Sequence, residues 1–144
     1  MNTQTMDKPT QTKTNQTNQK QVAPKLAWFE IPADNVERAK KFYSALFGWQ
    51  IEKFPAAVGD YWHIKTGGGD DSLDGGLLPR MHADQPITSY VSVPSVDESA
   101  AKLQKLGGKI MKPKTAVPHM GYFVICTDTE GNEFALWECD ENAS

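Results

Sequence analysis

The sequence predicts an α+β fold built from two tandem βαβββ modules. Two amphipathic helical stretches, each opened by a capping signal and closed by glycine, interrupt a series of short aromatic and β-branched runs. The two halves also superpose at a constant shift of 60 residues, which places Val36 on Val96, Leu46 on Leu106, Gly48 on Gly108 and Ile64 on Val124. One shift that aligns caps, helix stripes and strands together points to an internal duplication.

From Met1 to about Ala23 the chain is Thr, Gln, Asn and Lys with almost no large apolar residue. Such a stretch cannot offset its ordering entropy by burial, so residues 1–24 are expected to form a disordered polar tail, with Pro24 at its boundary. The folded domain is expected over 25–144, with modules of about 25–84 and 85–144.

In the first module Lys25–Ile31 reads as a strand. Asp34, with Glu37 three residues on, reads as a capping box. Val36, Ala39, Phe42, Tyr43, Leu46 and Phe47 follow at helical spacing up to Gly48. Trp49–Phe54, Tyr61–Thr66 and Gly75–Arg80 supply three strands, with the glycines at 67–69 in the last turn. The second module repeats the order. Ile87–Val93 is a strand, Ser95 and Glu98 form a second capping box, and Val96, Ala100, Leu103 and Leu106 make a stripe closed by Gly107-Gly108. Lys109–Lys112, Tyr122–Thr127 and Asn132–Glu138 complete it.

Composition bounds the function. A chain of 144 residues, 39% hydrophobic, holds one domain with a real core. A formal charge of −3 gives no basic footprint for nucleic acid or an anionic membrane, and no apolar run is long enough to span a bilayer. The N-terminus has no secretory-signal pattern, and Cys126 and Cys139 are too few for a disulfide scaffold, so reduced thiols in a cytoplasmic protein are expected.

Three motifs carry a family resemblance. Trp28-Phe29-Glu30-Ile31-Pro32, then Glu37-Arg38-Ala39 and Phe42 to Trp49 (FYSALFGW), resemble the first βα unit of the vicinal-oxygen-chelate superfamily of glyoxalases, bleomycin-resistance proteins and extradiol dioxygenases. Asp128 to Trp137 (DTEGNEFALW) is similar to its closing hairpin, and Gly75 to Arg80 (GGLLPR) to the strand that closes its first module. The resemblance implies a cup-shaped mixed sheet with helices on its convex face, and a homodimer.

Strand alternation then assigns faces. Phe29, Ile31, Leu78, Val91, Val93, Phe134 and Leu136, with Trp62 and Ile64, are expected against the helices. Trp28, Glu30, Gly75, Leu77, Thr88, Tyr90, Ala135 and Trp137, with His63, Lys65 and Phe123, are expected in the cup. The four metal-ligand positions implied by the resemblance fall on Trp28, Gly75, Thr88 and Ala135. None of these is an imidazole, carboxylate or thiolate, so no family-type metal and no other cofactor are expected.

Two functional readings remain. Trp28, Tyr90, Phe123 and Trp137, with Thr88, would line a binding site for a small aromatic or apolar molecule. Alternatively the chain is an enzyme related to lactoylglutathione lyase, using Glu30 and His63 as acid and base or a metal site not yet recognised. The bland counterpart for Glu30 is a structural hydrogen bond to Tyr90 or to a backbone group. His82 and His119 read as surface residues.

Overall fold

The structure is a computed structural model that describes residues 23–55 and 59–144. The polar tail expected over 1–24 lies outside them up to residue 22. The elements are β1 (Lys25–Ala33), α1 (Val36–Phe47), β2 (Gln50–Lys53), β3 (Trp62–Lys65), β4 (Gly75–Pro79), β5 (Thr88–Ser92), α2 (Val96–Lys105), β6 (Lys109–Val117), β7 (Gly121–Thr127) and β8 (Glu133–Cys139). One 3-10 turn, Gly69–Asp71, precedes β4. The α+β class and the doubled strand, helix, three-strand order are as the sequence predicts.

All eight strands join one open mixed sheet in the order β2-β3-β4-β1-β5-β8-β7-β6. The modules meet where β1 and β5 pair antiparallel, with Trp28 opposite Tyr90, Phe29 opposite Ser89 and Glu30 opposite Thr88. These pairs exchange under the duplication, so a local two-fold axis passes between Phe29 and Ser89. Each first strand then pairs parallel with the last strand of its own module, β1 with β4 and β5 with β8.

Both helices cover the same sheet face. Val36, Ala39 and Tyr43 of α1 pack on Ile31, Ile51, Ile64 and Leu77. Val96, Ala100 and Leu103 of α2 pack on Val93, Val124, Cys126 and Leu136. Burial pushes the Cys126 thiol up to about 11, as suits an inert core residue.

Three local expectations are corrected. Asn35, not Asp34, caps α1: its Oδ1 accepts the Arg38 N–H at 2.9 Å, while Asp34 pairs with Arg80 at 2.9 Å. The helix begins at Val36, so Asn35 is the last extended residue, where a side-chain oxygen reaches the free N–H groups. Ser95 does cap α2, accepting the Glu98 N–H at 3.1 Å. Strand β6 runs past Lys112 to Val117, with register shifts on both sides of Lys112. It is an edge strand containing Pro113, which has no N–H to donate, and an edge tolerates both the proline and the irregular register.

The third correction concerns the face of β4. Leu77 lies in the helix-side core, fully buried, and Gly75 faces the same way, whereas strand alternation in the sequence predicts both in the cup. Pairing decides it: Phe29 lies opposite Gly75 and Ile31 opposite Leu77, which leaves Glu30 beside Gly76. In the second module Tyr90, the counterpart of Glu30, lies beside Ala135. Gly76 is thus the counterpart of Ala135, one residue short of the 60-residue shift. The hairpin ahead of β4 carries residues 66–74, against 128–132 ahead of β8, and unequal loops break a constant shift. No helix among the described residues is long and apolar enough to cross a membrane.

Candidate functional site

On the face opposite the helices, β1 presents Trp28 and Glu30 beside one another by alternation. The Trp28 indole N–H donates to the Tyr61 oxygen at 2.8 Å, and the Tyr61 hydroxyl donates to Glu30 Oε2 at 2.8 Å. From the other module the Tyr90 hydroxyl donates to the same Oε2 at 3.2 Å. No described residue donates to Oε1.

Burial raises the pKa of Glu30 above the usual carboxylate range, and the nearby Glu133 adds to this. The two tyrosine hydroxyls and Lys112 act in the opposite direction without cancelling it. Both tyrosines are themselves shifted upward, by burial first and then by the Glu30 charge, so they stay protonated and remain donors.

The second module extends the cluster. The Tyr90 and Phe123 rings lie 6.4 Å apart, and the Lys112 ammonium sits 5.6 Å from the Phe123 centroid. Buried Thr88 donates to Glu133 Oε2 at 3.2 Å. Trp137 is on this face opposite Phe123 but lies at its outer end, over Gly121, with its N–H 3.2 Å from Cys139 Sγ.

His63 also faces the cup, with its ring 5.4 Å from Trp28 and stacked at 5.3 Å on Phe54. Its Nε2 is 3.0 Å from Asp74, so its partner is that carboxylate and not Glu30. Burial works against ionisation of Asp74, but the Thr66 N–H at 3.1 Å and then His63 hold its pKa low. Lys65 is drawn to the sheet edge by Glu52 at 3.0 Å. His82 and His119 are exposed in loops.

The four positions implied for metal ligands become Trp28, Gly76, Thr88 and Ala135 once β4 is in register. The change from Gly75 to Gly76 still offers no ligating side chain. A Cβ at Gly76 would overlap the Tyr61 hydroxyl, so the phenol occupies the space a β4 side chain would fill. Among the described residues no group of three His, Cys, Asp or Glu is arranged to hold a metal.

Tyr61, Asp74, Lys112 and Glu133 belong to the site and were missed in the sequence. Two of them were within reach of the alternation argument: Tyr61 is two residues before His63, and Glu133 two before Ala135. Asp74 sits in a loop, and Lys112 beyond a register shift, where alternation says nothing.

The profile of the Glyoxalase/Bleomycin resistance protein/Dioxygenase superfamily matches residues 25–136. The chain belongs to this superfamily. A glyoxylase-like domain-containing protein of Didymella fabae is 31% identical over 119 residues, covering 77% of this chain and 91% of that one. Putative glyoxylase CFP32 of Mycobacterium bovis is 27% identical, covering 80% of this chain but 46% of its own length. The anthracycline biosynthesis protein DnrV of Streptomyces peucetius is 23% identical and covered to 46%. This glyoxalase-superfamily chain therefore spans about half the length of the latter two. In fold it is similar to methylmalonyl-CoA epimerase of Mycobacterium tuberculosis, with a TM-score of 0.60 at 13% identity over 80% of this chain and 87% of that one.

Proposed function

We propose that this glyoxalase-superfamily chain binds a small aromatic or apolar molecule in the sheet cup, without a family-type metal. The observation that carries this reading is Glu30 Oε1: one oxygen of a desolvated carboxyl has no described donor while the other takes two. Around it the partly buried Trp28, Tyr61 and Phe123 offer ring faces, so a ligand gains apolar contact and one directed hydrogen bond. The test is a titration of tag-free protein with a panel of small aromatic molecules, followed by tryptophan fluorescence and by recovery of the ligand. Saturable binding with unchanged ligand is expected. Metal content by mass spectrometry, after incubation with nickel, zinc, manganese and ferrous iron, is the companion measurement. Stoichiometric tight metal would overturn the metal-free part.

A second reading is an enzyme in which Glu30 moves a proton. Its raised pKa favours this, since a carboxyl that holds its proton more firmly than a solvated one can serve as acid as well as base. The His63–Asp74 pair would then be a separate second group. Turnover lost in Glu30→Gln, with the fold intact, decides for this reading. Two relatives are named putative glyoxylases and one an anthracycline biosynthesis protein.

We also propose that the chain acts as a homodimer in the cytoplasm. Exposed Phe42, Leu46 and Phe47 on α1 supply an apolar surface, and two copies would restore the length of the longer relatives. Sedimentation equilibrium measures this directly.

A further inference from the structure

We propose that the cup selects organic cations, namely amines or quaternary ammonium ions carrying an aromatic body. The inference rests on the binding reading above and names its ligand class. Two carboxylates flank the aromatic wall: Glu30 on β1 accepts the Tyr90 hydroxyl at 3.2 Å, and Glu133 on β8 accepts, also at 3.2 Å, the hydroxyl of Thr88, which lies opposite Glu30 across the β1–β5 seam. Two further carboxylates on this face are already committed, Asp74 to His63 and Glu52 to Lys65, each at 3.0 Å.

The independent observation is Lys112. Its ammonium sits over the Phe123 ring at 5.6 Å, within the range where an aromatic face attracts a cation. Among the described ion pairs Lys112 takes part in none. The protein thus seats a cation of its own against the wall, on an exposed arm of the irregular edge strand β6. Such an arm can withdraw into water and leave the place to a ligand cation. That ligand gains the ring faces and the charges of Glu30 and Glu133. A neutral ligand gains the rings and one hydrogen bond to Glu30 Oε1 but no ionic attraction, and an anion meets two carboxylates.

The groups that face Glu30 are Tyr61 ahead of β3, Tyr90 on β5, Lys112 on β6 and Glu133 on β8, with the His63–Asp74 pair beyond Trp28. Of these the tyrosines stay protonated, so the cation draws its charge partners from Glu30 and Glu133, and burial makes Glu30 hold its proton more firmly than a solvated carboxyl. Uptake at low pH releases the Glu30 proton, and affinity for the cation rises with pH while that for a neutral ligand does not.

The experiment titrates the full chain with phenyltrimethylammonium, its neutral isostere tert-butylbenzene, and benzoate, read by tryptophan fluorescence and by NMR shifts. The cation is expected to bind at least about ten-fold more tightly than the isostere, with the preference lost in Glu30→Gln. Lys112→Met, at an exposed edge position that leaves the core intact, is expected to tighten cation binding several-fold. Equal affinity for cation and isostere, or tightest binding of benzoate, overturns cation selection and leaves the binding reading standing. Silence of all three, together with the wider aromatic panel, overturns both.

Discussion

Glu30 and Tyr90 hold the same place in the two modules, 60 residues apart, and the hydroxyl of one donates to the carboxyl of the other at 3.2 Å. The duplication has placed a carboxylate on one side of the local axis and its hydrogen-bond donor on the other. A site built this way straddles the seam between modules. It depends on β1–β5 pairing for its geometry.

The first prediction is a stability effect that depends on pH. The pKa of Glu30 is raised in the folded chain, so the native state holds its proton more firmly than the unfolded state. The contribution is complete below the unfolded value of 4.5 and is lost as pH rises through the folded value. Glu30→Gln removes that loss. Urea unfolding at several pH values should show the variant gaining on the parent as pH rises, and a difference that is flat with pH contradicts the assignment.

Removing the two tyrosine hydroxyls should have unequal effects. Tyr90→Phe deletes one donor to Glu30, at a cost of about 1.5–3 kcal/mol for a bond to a charged group. Tyr61→Phe deletes the other donor and also strands the Trp28 N–H, so it should cost more. Denaturant midpoints of the two variants and the double variant measure the coupling.

The face of β4 is open to a simple comparison. Leu77→Ala opens a cavity beside Ile31 and Ile64 and should cost about 2–5 kcal/mol. Leu78→Ala, at a partly exposed position on the other face, should cost clearly less. The reverse order in thermal unfolding would restore the cup assignment of Leu77.

Gly76→Ala should expel the Tyr61 ring from its seat and cost about 1–3 kcal/mol through overpacking. Because the Trp28 N–H loses its acceptor at the same time, a shift in tryptophan emission should accompany the loss.

The helix start gives the last test. Asn35→Ala should destabilise by about 0.5–2 kcal/mol as a lost cap, and Asp34→Ala by less. The Asp34–Arg80 pair leaves Asp34 mostly exposed, where an ion pair contributes little.

The sequence by itself determined the class, the duplication and most strand faces. Helix stripes and strand alternation are local periodicities, and a repeat at one shift is a property of the string. Trp28, Glu30, His63, Thr88 and Tyr90 could be placed on one face by period-two counting, and Phe123 by the 60-residue shift from His63. Only the tertiary structure decided which way β4 turns, because that phase is set by pairing with β1 across a hairpin whose length differs between modules. It also decided that Glu30 meets Tyr61 and Tyr90 while His63 meets Asp74. Counting along a strand tells which face a side chain takes. Which partner it finds there depends on the spacing and stagger of neighbouring strands, and that is fixed only when the sheet assembles.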